Sequence, residues 1–107
     1  MLVFITLIPI TRNDGSPVPE SEQEEILDLL VQKFGSLTIE GTTRGIWQDP
    51  ETGEVHREKN LKVKIGCDLK KAAMVPDVIR EIGIRLGQKE MYLEMSGGAG
   101  LESVRCR

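Results

Sequence analysis

Asp49, Pro50, Glu51, Thr52 and Gly53 spell a turn that closes in one way, and that turn constrains the whole chain. The Asp49 carboxylate can accept backbone amides just after it, Pro50 presets φ, and Gly53 accepts φ > 0. The resulting hairpin pairs Asp49 with Glu54 and fixes the register of the flanking strands. Downstream, Val55, Leu61, Val63, Ile65 and Cys67 share one parity, opposite to His56, Glu58, Lys62 and Lys64. That alternation predicts a half-buried strand over residues 54–67. Upstream, Leu37, Thr38, Ile39 and Glu40 alternate and open its partner.

The register carries a further consequence. Pairing Asp49 with Glu54 makes paired residue numbers sum to 103, which sets Ile39 opposite Lys64 and Glu40 opposite Val63. Apolar residues would then face charges across the ladder, which a half-buried sheet does not tolerate. One extra residue in the first of the two strands restores Ile39 to Val63. The sequence therefore predicts a β-bulge within residues 42–46, at Gly45, where the apolar parity switches to Ile46.

The remaining segments follow from periodicity and punctuation. Residues 1–10 are apolar at both parities and end at Pro9, as expected of a central strand. Asn13, Asp14, Gly15, Ser16 and Pro17 read as a loop. Ser21 and Glu24 form a capping-box pattern, and Ile26, Leu29, Leu30 and Phe34 recur at helical spacing, so a helix is predicted over 21–34 with Gly35 as its left-handed stop. Val75, Pro76 and Asp77 open a second helix whose stripe is Ile79, Ile82, Gly83 and Leu86. Gly83 lowers helix propensity, so its place in that stripe predicts close approach to the sheet. Met91, Leu93 and Met95 alternate as a fourth strand. Ser96, Gly97, Gly98, Ala99 and Gly100 are a turn without the Lys-Ser/Thr of a phosphate loop, and 101–107 is a fifth edge strand or a tail.

Strand, helix, strand, strand, helix, strand in 107 residues is one domain. The order predicts an α+β, ferredoxin-like βαββαβ sandwich, with two helices on one face of an antiparallel sheet and an extra C-terminal strand as an option.

Charge is unevenly spread. Residues 1–55 hold ten acids and three bases, and residues 56–107 hold seven acids and eleven bases. That asymmetry suits self-association, with a homodimer expected, or a protein or small-molecule partner. A net charge of −3 argues against nucleic acid. RNA readers on this fold stack bases on central-strand aromatics, and only Phe4 could serve. No run approaches the length of a membrane span, and residues 1–10 lack a basic region and cleavage site, so a cytoplasmic location is expected. Two cysteines and one histidine fall short of a disulfide framework or a zinc set, and no cofactor is expected. Cys67 reads as a small core residue and Cys106 as an exposed thiol near the terminus.

The chain resembles a family of small uncharacterised bacterial proteins over residues ~14–95. The shared pattern is Gly15-Ser16-Pro17-Val18, the acids from Glu20 to Glu25, Phe34-Gly35-Ser36-Leu37-Thr38, Gly45-Ile46-Trp47, Gly53, Arg57-Glu58 and Gly87-Gln88. The family has no assigned activity, so the resemblance implies fold rather than function.

The rare side chains define the candidate sites. The register makes Trp47, the only tryptophan, a cross-strand neighbour of His56, the only histidine, on the face away from the helices. Such a pair can anchor an interface or a ligand. His56 as a general acid or base would need an orienting carboxylate, and Glu58 stands two positions away. Arg44, Arg57, Lys59, Lys62 and Lys64 make the hairpin basic and suit an anion or an acidic partner. The favoured reading is a non-enzymatic, self-associating binding module using Trp47, His56, Arg44 and Arg57. The alternative is a small dimeric enzyme with a pocket between sheet and helices, for which His56, Arg57, Glu58 and Tyr92 are the candidates. A toxin, antitoxin or immunity partner is a third.

Overall fold

The computed structural model describes residues 1–96 and 101–106. In chain order it comprises β1 (Leu2–Pro9), α1 (Glu20–Phe34), β2 (Thr38–Gln48), β3 (Val55–Cys67), α2 (Leu69–Ala72), α3 (Val75–Arg85), β4 (Glu90–Met95) and β5 (Leu101–Arg105). The sheet is antiparallel throughout, in the order β2-β3-β1-β4-β5. Its first four strands make the ferredoxin-like arrangement, and β5 extends it beyond β4. β1 is central, as its doubly apolar sequence requires.

One sheet face carries the core. Phe4 pairs with Ile65, Thr6 with Val63 and Leu93, and Met91 with Val104, so these side chains point the same way. Against them pack Ile26, Leu30 and Phe34 of α1 and Val75, Ile79 and Ile82 of α3, all nearly inaccessible. Thr6 is buried among them without penalty, because its Oγ1 donates to the Tyr92 carbonyl at 2.7 Å.

Several local expectations are corrected. α1 begins at Glu20, with Pro19 at the N-cap and no side-chain cap, so Ser21 lies inside the first turn and makes no capping box. Val18, 2% exposed, holds the entry, and its carbonyl accepts from Gln23 Nε2 at 2.9 Å. α2 was not foreseen; Asp68 caps it through the Lys71 amide at 2.8 Å. Cys106 is buried rather than exposed. The glycine-rich turn at 97–100 lies outside the described residues.

The bulge exists but not at Gly45. The ladder keeps the register set by the turn from Gln48–Val55 through Gly41–Lys62, regular at Gly45. It shifts only between Ile39 and Gly41, after which Ile39, itself 52% exposed, pairs with the buried Val63 on the core-facing side. Gly41 takes φ 110°, a conformation open to glycine and costly for other residues. The correction is needed only where β2 meets the part of β3 that packs on the core. Farther out both faces of the strand are exposed, and burial does not constrain the pattern there.

Candidate functional site

β1 ends at Pro9, opposite Asn60, and the Ile10 amide makes one more bond, to the Lys59 carbonyl at 3.0 Å. Beyond that level β2 and β3 continue together as a two-stranded arm, residues 44–59. Its tip is the expected turn: the Asp49 amide donates to the Glu54 carbonyl at 2.8 Å, and Asp49 Oδ1 accepts from the Glu51 amide at 2.8 Å. The Glu51 amide, joined by that of Thr52 at 3.4 Å, holds the Asp49 carboxyl below its ordinary pKa.

Strand alternation gives the arm two faces of different chemistry. The face away from the helices carries Trp47 opposite His56 and Gly45 opposite Glu58. The Trp47 and His56 rings stack with centroids 4.5 Å apart and planes 19° from parallel. Trp47 Nε1 donates to Glu58 Oε1 at 2.9 Å, which fixes both the indole and the carboxylate. Gly45 has no side chain and leaves a notch between them. Next along this face, Thr43 pairs with Asn60, which is 4% exposed. The Thr43 Oγ1 is buried and has no hydrogen-bond partner among the described residues. A buried orphan hydroxyl is uncommon, and beside a notch it suits a ligand or bound water.

The opposite face carries Arg44 across from Lys59 and Ile46 across from Arg57. The loop after β1 stands near it and closes a cleft of about 260 Å³, bordered by Thr11, Arg12, Asn13 and Gly15, by these arm residues, and by Gly45, His56 and Glu58 of the neighbouring positions. The loop is pinned. Asn13 Nδ2 donates to the Gly87 carbonyl at 3.1 Å and its Oδ1 accepts from Gln88 Nε2 at 3.3 Å. Asp14 Oδ1 accepts from the Ser16 amide and hydroxyl, and those bonds lower its pKa. Arg12 pairs with Glu22 of α1 at 2.5 Å.

The arm thus brings Trp47, His56 and Glu58 together, and sets Arg44 and Arg57 on its other side. Glu58 does not orient His56: it is held by the indole, and the carboxylate near His56 Nε2 is the exposed Glu54, at 3.9 Å. Tyr92 is not part of the group. It lies on β4, two strands from β3 and level with Lys62, four residues beyond Glu58, so it stands more than about 15 Å from the group, and its hydroxyl donates to Glu94 at 2.9 Å. That bond is the main reason its pKa is raised. Lys62 and Lys64 lie farther down the open face, where Lys64 reaches Glu40 at 3.7 Å. The cleft described above lies against the arm and the 11–15 loop, whereas the layer between sheet and helices carries the buried core. Burial pushes the Cys67 thiol pKa up, away from nucleophilic use. Among the described residues, no three acids, thiols or imidazoles gather as a metal set, and no helix is long and apolar enough to cross a membrane.

Sequence reasoning missed the 11–15 loop as a wall of the cleft and the Trp47–Glu58 bond. The second was accessible, since Glu58 pairs with Gly45 and so lies diagonally adjacent to Trp47 on one face. The first depends on long-range packing against Gly87 and Gln88.

No family model matches the chain, and no curated protein matches it. Two solved structures share its fold. One is a phage SAM lyase in complex with S-methyl-5'-thioadenosine, 10% identical, with a TM-score of 0.77 over 97% of this chain and 88% of that one. The other is a phage SAM lyase in the apo state, 13% identical, with a TM-score of 0.71 over the same shares. At such identity the likeness is one of fold. It corrects the favoured functional reading nonetheless: the fold of 97% of this chain is one that an enzyme also adopts, and the non-enzymatic module is withdrawn.

Proposed function

We propose that this chain is an enzyme acting on a sulfonium nucleoside of the SAM type, with the open face of the arm as its site. The observation that carries the reading is the Trp47–His56–Glu58 group, set on a fold that a SAM lyase shares over nearly its whole length. Trp47 has one face against His56 and is 42% exposed, so it offers indole surface to an adenine ring or to a cationic sulfur. Glu58 Oε1 is held by the indole, which leaves Oε2 to face the sulfonium charge or to accept from ribose hydroxyls. Breaking the C–S bond of the aminoacyl arm sends the bonding pair to sulfur and releases the neutral thioether, while the substrate's own carboxylate attacks the carbon that sulfur leaves and closes a lactone, so the step balances within one substrate molecule. Such a leaving group needs no proton, so orientation and charge placement are the protein's main contributions. The proposal includes a cytoplasmic location, where such nucleosides are made, and self-association through the free edge of β2.

The test uses Trp47 as its own reporter, since it is the only tryptophan. Titration with SAM and with S-methyl-5'-thioadenosine should change the indole fluorescence, and chromatography of the SAM reaction should show the thioether accumulating. Glu58→Gln should weaken SAM, which carries the charge, more than the neutral thioether. Absence of both the fluorescence change and the thioether in the wild-type protein would overturn the reading.

A further inference from the structure

The face of the arm turned away from Trp47 has the opposite chemistry. Arg44 and Lys59 are direct cross-strand partners, and Arg57 is two residues from Lys59 on the same side. Opposed residues in a sheet have Cβ atoms about 5 Å apart, and like charges at that spacing repel. Among the described residues, the ion pairs engage Arg12, His56, Lys64, Arg80 and Arg85, and none reaches Arg44, Arg57 or Lys59. Arg12, across the cleft, is already matched by Glu22. Three unmatched cations therefore border a cleft of about 260 Å³ whose far wall is a pinned loop.

We propose that the Arg44, Arg57 and Lys59 side of this cleft, which adjoins His56 and Glu58, is an anion site, and that its ligand is a phosphate-bearing small molecule, with a diphosphate or phosphate monoester held between those three cations. The charge state of the ligand follows from the count. A single carboxylate would balance one of three cations that strand spacing holds within about 5–8 Å of one another. A phosphate monoester or diphosphate brings two or more negative charges and enough oxygens for a bidentate guanidinium. The cleft volume admits a group of that size rather than a polymer, and the chain's net charge of −3 disfavours nucleic acid.

The test is thermal unfolding with and without inorganic pyrophosphate, at ionic strength matched with sodium chloride. The wild-type protein should be stabilised in a saturable way by pyrophosphate beyond the chloride control. Lys59→Gln and Arg57→Gln should each weaken pyrophosphate by roughly tenfold or more, as loss of one charged hydrogen-bonding partner implies. Lys59→Gln should also raise the melting temperature of the ligand-free protein, because it removes a repulsion; a merely structural lysine would lower it. Equal stabilisation by pyrophosphate and chloride, or an undiminished pyrophosphate effect in the Arg57→Gln, Lys59→Gln double variant, overturns the proposal. The double variant must still quench Trp47 fluorescence with SAM wherever the wild-type protein does, which separates the fate of this site from that of the proposed enzymatic one.

Discussion

Gly83 shows how one position can reverse an ordinary rule. In the middle of a helix, glycine is about 1 kcal/mol worse than alanine, so propensity alone makes Gly83→Ala stabilising. The structure predicts the opposite. A Cβ built there would collide with Cys106 Sγ and come within 2.7 Å of Met91 Cγ. Both neighbours are buried and cannot swing away. Overpacking of this kind costs about 1–3 kcal/mol, so Gly83→Ala should lower the urea midpoint without changing the slope. That Gly83 lets α3 approach the sheet was legible from its place in an apolar stripe. The identity of the neighbour was not, because Cys106 reads as an exposed terminal thiol until β5 is seen to carry it under the helix. Asp49 gives a second prediction at this scale. Its pKa is lowered chiefly by the Glu51 amide, so the charged form is favoured in the folded hairpin. Its contribution to stability is fully present above the unfolded value of 3.8 and is lost as pH falls through the lower folded value. Asp49→Asn should flatten that acid limb in melts taken between about pH 5 and pH 2.

Among the elements, β2 tests most directly what the alternation of a strand encodes. The need for one extra residue was readable, because Ile39 must meet Val63 and the turn alone would not allow it. Its position was not readable, because an arm exposed on both faces places no burial demand on parity. Two glycines therefore part company. At Gly41, φ is 110° and a side chain is strained, so Gly41→Ala should cost about 1–3 kcal/mol. At Gly45 the ladder is regular, and an added Cβ would meet Asn60 Nδ2 at an ordinary 3.6 Å. Gly45→Ala should leave stability within about 0.5 kcal/mol while filling the notch between Trp47 and Glu58. Chemical denaturation of the two variants locates the bulge without a new structure. Weakened SAM binding in Gly45→Ala alone, with its stability intact, would tie the notch to the proposed site. The helices show the same division: their apolar stripes were readable, while the start of α1 was set by Val18 and Pro19 rather than by the capping pattern at Ser21.

At the scale of the whole molecule, the open question is the free edge of β2. A two-stranded arm is marginal in water by itself, and this one exposes Ile46 at 60% and Val55 at 52% of their surface. Asp49 and Glu54 form a hydrogen-bonded pair, so by alternation the amides of odd-numbered residues 43–47 point to β3. The amides of Thr42, Arg44, Ile46 and Gln48 then face outward, along an edge that no strand covers in the single chain. Such an edge invites a second copy, and antiparallel pairing of β2 with its own image gives a closed two-fold dimer. Edge pairing would continue the sheet and leave both faces of the arm open, so it is compatible with the sulfonium site and the anion cleft together. Ile46→Pro is the informative change, since it deletes an outward amide without removing a bond to β3. It should convert a dimer into a monomer in sedimentation or light scattering while the circular dichroism spectrum is kept. Ile46→Lys should do the same by charging the edge. A wild-type protein that sediments as a monomer at high micromolar concentration, or an Ile46→Pro variant that remains a folded dimer, would refute edge pairing and leave the arm to be explained by its ligands alone.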